Sequence, residues 1–225
     1  MEKEKQTIQI LKELLSQGKT ANEIRNVLSK IDPKFLRENN PIPRKNIREF
    51  VTECAFLFDI GSPIVDIGCG SRSNKPEMLQ AVKDKSNFTY IALDHTFDFD
   101  RPTDPNASPD LIADAASIPF PDLFASTVIC TEVLEHVPDD SIVLKEISRI
   151  LKPGGLFILT LPGKSIPKHE KLPYQIDYRR YEIPQLYRLL QNHGFTEIEI
   201  SARYFEDLQI NIFAVCRKLG EKRHK

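Results

Sequence analysis

Three short apolar runs in this chain each end on residues that could hold a nucleoside. Gly68 and Gly70 directly follow Ile64-Val65-Asp66-Ile67. Glycine there lets the backbone turn sharply and approach a ligand with no side chain in the way. Asp94 closes Tyr90-Ile91-Ala92-Leu93, and a carboxylate at the end of a second strand can accept hydrogen bonds from both hydroxyls of a ribose. Asp114 closes Leu111-Ile112-Ala113. It could take the exocyclic amine of an adenine, with nearby N–H groups on the ring nitrogens, or it could cap a helix. Each residue alone is an ordinary turn residue. In this order on successive runs, they read as one ligand-binding edge. Two histidines, His169 first and His136 second, are the candidate bases for taking a proton from a hydroxyl; a structural role for His136 stays open.

Bringing such distant residues together requires a particular architecture. Strand-like runs alternate with helical patterns from Pro63 onward, which implies a mostly parallel sheet covered on both faces. A fourth strand is expected at Thr127–Cys130, a helix over about Asp140–Leu151, and a fifth strand at Leu156–Leu159 after the stop Lys152-Pro153-Gly154-Gly155. A helix over Tyr181–Asn192 and two last strands, about Thr196–Ala202 and Gln209–Cys216, follow. The last two strands show the alternation of a sheet edge. The expected fold is a doubly wound, Rossmann-like α/β sheet of about seven strands with an antiparallel last strand. Its ligand crevice lies beyond the carboxyl ends of the strands.

Residues 1–62 read differently. Ile8, Leu11, Leu14 and Leu15 recur at helical spacing, and Thr20-Ala21-Asn22-Glu23 is a capping box opening a second helix. A third helix runs from about Lys45 to Asp59. These helices are expected to form a cap, with Asn40 to Arg44 close to the crevice. The domain proper is then 63–218, and 219–225 is a basic tail.

The 225 residues carry 31 Lys plus Arg and 32 Asp plus Glu, a net charge of -1. That balance lacks the basic excess of a nucleic-acid binder. Cys54, Cys69, Cys130 and Cys216 are widely separated, which argues against a zinc site and for reduced thiols. The charged start Met-Glu-Lys-Glu-Lys is no signal core, and no apolar run is long enough to span a bilayer. A cytoplasmic protein without a metal is expected; the oligomeric state is left open.

Four motifs carry a resemblance to a known family. Val65-Asp-Ile-Gly-Cys-Gly70, Leu111-Ile-Ala-Asp114 with Ile118-Pro-Phe-Pro121, Cys130-Thr-Glu-Val-Leu-Glu-His-Val137 and Leu151-Lys-Pro-Gly-Gly155 together resemble the class I S-adenosylmethionine-dependent methyltransferases. The small-molecule enzymes that include those of quinone biosynthesis are the nearest in pattern. The resemblance implies S-adenosylmethionine as cofactor. It implies that Asp66, Gly68, Cys69 and Gly70 surround the amino-acid end and ribose, that Asp94 binds the ribose, and that Asp114 and Ala115 hold the adenine. Thr131 and Glu132 would line the methionine side. Where the family often has a third glycine, this chain has Arg72. The segment from His169 to Tyr181 is similar to a pattern in methyltransferase-like proteins of glycan biosynthesis. Its histidine, tyrosines and arginines suit a small-molecule or glycan-type acceptor methylated at a hydroxyl. Two rivals remain: a non-catalytic relative that binds cofactor or a partner, and a nicotinamide-dependent dehydrogenase. The latter is disfavoured because Gly68-Cys69-Gly70 lacks the third glycine of the dinucleotide fingerprint.

Overall fold

The computed structural model describes residues 2–17, 19, 21–32, 44–70, 88–95, 109–168 and 176–220. Thr20 of the capping box, Asn40 to Pro43, Arg72, His169 and most of the basic tail lie outside these. Helices α1 (Glu2–Ser16), α2 (Ala21–Ile31) and α3 (Arg44–Leu57) precede the sheet. Then come β1 (Ile64–Ile67), β2 (Tyr90–Asp94), β3 (Leu111–Ile112), β4 (Ala125–Thr131), α4 (Asp140–Ile150), β5 (Leu151–Pro162), α5 (Ile183–Asn192), β6 (Phe195–Phe205) and β7 (Leu208–Lys218).

The seven strands lie in the order β3-β2-β1-β4-β5-β7-β6. β1 to β5 are parallel neighbours, and β7 runs antiparallel between β5 and β6. This is the expected Rossmann-like sheet. The edge reading of the last strands holds only for β6. β7 is interior, and eight consecutive residues of it are buried. Both of its faces are covered, so residues of both parities are apolar.

Strand periodicity divides the core into two layers. Val65, Ile67, Val128, Cys130, Phe157, Leu159 and Ile212 pack with Val143, Ile147 and Ile150 of α4 and Leu186 and Leu190 of α5. Their alternates Ile64, Ile129, Ile158, Phe213 and Val215 pack against Ile47, Val51 and Cys54 of α3. Phe50 and Phe213 anchor that side with ring centroids 4.7 Å apart. Of the helices in the expected cap, α3 therefore covers a face of the sheet. α1 and α2 form a separate pair, with Leu11, Ile24 and Leu28 buried against Leu14 and Leu208. Lys12 Nζ clasps the β6–β7 turn, 2.9 Å from Glu206 and 2.7 Å from Asp207. Because β7 opposes β5, that turn lies at the carboxyl edge of the parallel strands.

The Lys152–Gly155 stretch does not delay the fifth strand. Leu151 already pairs with Ala125, and the ladder resumes at Leu156 opposite Thr127 after a register shift. The intervening residues bulge out, with Gly154 at φ +74°. Asp139 caps α4 by accepting a hydrogen bond from Ser141 N at 2.9 Å. No helix among the described residues is long and apolar enough to cross a membrane.

Candidate active site

The loop after β1 is built by β2. Gly68 N and Cys69 N both donate to Leu93 O, at 2.8 and 3.1 Å. Gly68 and Gly70 adopt φ +67° and +51°, the left-handed region where a side chain costs energy. A Cβ on Gly68 would sit 2.2 Å from Val133 Cγ2. The glycine thus also lets the loops after β1 and β4 interlock. Gly70 N donates to Asp94 Oδ2 at 3.0 Å, and His95 N donates to Asp94 Oδ1 at 2.7 Å. The Asp94 carboxylate is held by backbone on both oxygens and is still 15% exposed at the crevice. Asp66 and Cys69 are buried toward α3, where Asp66 accepts from the Tyr90 hydroxyl.

At the end of β3, Asp114 closes a turn. Its Oδ1 accepts from Ala116 N at 2.8 Å, and Ser117 N donates to its backbone carbonyl at 2.9 Å. No helix follows, so the helix-cap reading gives way to a turn cap. Asp114 remains exposed and Ala115 is buried. Arg149 of α4 pins the downstream loop by donating to Ile118 O at 2.9 Å and Phe120 O at 2.7 Å.

After β4 the backbone takes an unusual path. Glu132 sits at φ +55°, a conformation that persists in a non-glycine residue only where its surroundings fix it. Here Glu132 N donates to Thr160 O at 3.0 Å, and Thr160 Oγ1 donates to Glu132 Oε1 at 3.0 Å. The turn Leu134–His136 follows. His136 Nδ1 lies 2.9 Å from Asp177 Oδ1, and Arg180 Nη2 donates to Asp177 Oδ2 at 2.7 Å. The Asp177 side chain is fully buried and that of His136 is 20% exposed. An aspartate on Nδ1 favours the tautomer whose lone pair lies on Nε2. Glu135 is buried beside it, with neither oxygen hydrogen-bonded and Oε1 3.5 Å from His136 Nε2. Among the described residues, no cluster of His, Cys, Asp and Glu is arranged to hold a metal ion.

The comparison with known proteins settles the lineage of this arrangement. A model of the methyltransferase domain family matches residues 37–200, well over half of the chain. The chain belongs to the methyltransferase domain family. It is 31% identical to a ubiquinone biosynthesis O-methyltransferase of Colwellia psychrerythraea, over 41% of this chain and 47% of that protein. It is 28% identical to a fatty-acid O-methyltransferase of Mycolicibacterium smegmatis, over 60% of this chain and 51% of that one. The chain thus spans about half the length of these relatives. A solved structure of phosphoethanolamine N-methyltransferase 2 from Haemonchus contortus, in complex with S-adenosyl-L-methionine, aligns with a TM-score of 0.56 at 14% identity. That alignment covers 78% of this chain and 53% of the other. At that identity it speaks for the fold alone.

This methyltransferase domain gathers Gly68, Gly70, Asp94, Asp114, Thr131 and Glu132 along one strand edge, as read from the sequence. His136 stands on the same edge. Sequence reasoning missed Asp177 and Arg180 as its partners. Their three-residue spacing is visible, but the 40 residues between His136 and Asp177 carry no signal of contact. Tyr181 goes to the core and donates to Asp140 Oδ2 at 2.8 Å, whereas Tyr178 is exposed.

Burial and the neighbouring Glu132 carboxylate push the Glu135 carboxyl well above its ordinary range, and Arg180 only partly offsets them. Glu135 is therefore a pH-sensitive group within the domain core. The folded state keeps a proton that the unfolded chain releases above about pH 4.3. The stability tied to that proton is present below this value and is lost as pH rises through the folded pKa. Glu135→Met removes both the titration and the unpaired polar atoms. It should melt higher than the parent, by the about 1–3 kcal/mol that an unsatisfied buried group costs. The gap should widen from pH 4.5 to pH 8 in calorimetric scans. A constant or shrinking gap would mean that Glu135 is ionised and paired.

Proposed function

We propose that this chain binds S-adenosylmethionine along the carboxyl edge and methylates a hydroxyl of a polar small molecule. The cofactor fits the donor set there: a fixed, partly exposed carboxylate at the end of β2 suits a ribose diol, and an exposed aspartate on a turn after β3 suits an exocyclic amine. Asp94 would hold the ribose, Asp114 the adenine, the Gly68–Gly70 loop and Glu132 the amino-acid end. Bound there, the cofactor supplies a methyl group already activated by its sulfonium charge.

The protein's own contribution is then placement and proton removal. His136 accepts the hydroxyl proton on Nε2. Asp177 holds Nδ1–H, and Arg180 fixes Asp177. The His136–Asp177 pair is the observation that carries this reading; His169, the first candidate from the sequence, lies outside the described residues. Small-molecule O-methyltransferases among the relatives support an oxygen acceptor. A sugar-like acceptor is the narrower form of the same proposal.

The test combines calorimetry and turnover. S-adenosylmethionine and S-adenosylhomocysteine should both bind, and radiolabelled methyl should pass to members of a panel of sugars, phenols and hydroxy acids. Amines and carbon acids serve as comparison. No binding heat from a folded protein would sink the proposal. Binding without incorporation into any acceptor class would favour a non-catalytic role.

A further inference from the structure

A second buried side chain lies at the same edge without a hydrogen bond. Asn211 of β7 is 0% exposed, and neither its Nδ2 nor its Oδ1 has a partner. Buried amides are paired in folded proteins, and an exception calls for an explanation. The contrast within this strand is direct. Gln209, two residues earlier and on the same face, is also buried, yet its Oε1 accepts from Lys164 N at 3.2 Å and its Nε2 donates to Tyr204 Oη at 3.3 Å. The fold satisfies the amide it uses for structure and leaves the next one open.

Its position points to a ligand. Asn211 sits opposite Pro162, the last residue of β5, so it stands at the carboxyl edge. By strand alternation it shares a face with Phe213 and with Thr160, its diagonal neighbour on β5, and Thr160 is the residue bonded to Glu132. The backbones are in close contact nearby: a Cβ on Gly163 would lie 2.2 Å from Gln209 O. The turn that begins β7 is the one clasped by α1 through Lys12. The open amide thus stands at the strand edge, three residues along β7 from Leu208, which packs on the α1–α2 pair.

We infer that Asn211 is an acceptor-recognition residue, and that the acceptor presents a hydrogen-bond donor and acceptor side by side, as an amide or a hydroxy ketone does. An amide side chain with both ends open is complementary to such a pair. This inference rests on the proposed methyl transfer. It adds the substrate class, and it requires the helical pair to part from the hairpin so that the molecule can enter.

The experiment compares the full-length parent with Asn211→Leu and Asn211→Ser. Asn211→Leu should melt no lower than the parent, because it removes unpaired polar atoms, and it should bind S-adenosylhomocysteine with unchanged affinity. With labelled cofactor and a panel of hydroxy amides and hydroxy ketones, KM should rise at least about tenfold in the leucine variant while kcat stays within about threefold. Matched alcohols lacking the carbonyl should already be poor for the parent. In parallel, acetamide and hydroxyacetone titrated into the parent loaded with S-adenosylhomocysteine should shift the Asn211 side-chain NH2 resonance, assigned by its loss in the leucine variant. Equal KM in parent and variant, or no shift with either probe, overturns the inference. So does lowered melting of both variants, which would mark Asn211 as structural. If the parent methylates simple alcohols as well as the hydroxy amides and hydroxy ketones, recognition by Asn211 fails and methyl transfer stands. Absence of S-adenosylhomocysteine binding by the parent removes the proposed function itself.

Discussion

His136→Ala should slow methyl transfer by about 10²–10⁴-fold, the range for loss of a general base. Cofactor affinity should hold close to the parent value, because Asp94 and Asp114, the proposed cofactor contacts, stand at and beyond the ends of other strands. Asp177→Asn should lose part of the same rate, since an amide on Nδ1 no longer selects the tautomer with its lone pair on Nε2. Added imidazole should restore some turnover to His136→Ala, where the truncated side chain leaves room. The checks are single-turnover rates at saturating cofactor. If His136→Ala turns over like the parent while His169→Ala does not, the base is His169 and the His136–Asp177 pair is scaffolding.

Asp94→Ala should weaken S-adenosylmethionine by at least about tenfold, since each charge-assisted hydrogen bond contributes about 1.5–3 kcal/mol. Its carboxylate also receives the N–H groups of Gly70 and His95, so the alanine variant should lose loop order along with the proposed ribose contacts. Asp94→Asn keeps one acceptor oxygen without the charge and should fall between the two. Calorimetric titration with S-adenosylhomocysteine measures both. Unchanged affinity in the alanine variant would remove Asp94 from the binding edge.

The parallel sheet was legible because its signals are local: a short apolar run, a glycine or aspartate at its end, then a helical period. The same locality explains the misses. Apolar residues of both parities along Ile210–Cys216 reflect helices on both faces of β7, yet the segment was read as the alternation of a sheet edge. The Lys152–Gly155 stretch has turn composition, and only pairing with β4 turns it into a bulge within one strand. In the site, residues at strand ends were readable one by one. The Asp177–His136 pair and the open Asn211 amide depend on contacts between distant segments, and no spacing rule reports those.

The interlock of Gly68 with Val133 has one more consequence. The valine methyl group fills the space that any side chain at position 68 would need, and close-packed interiors pass displacement on rather than absorb it. The loop after β1 and the turn that ends in His136 are therefore packed directly against each other. On the proposed function, a cofactor seated on the first would press on the second, so filling one half of the site would bear on the alignment of the other.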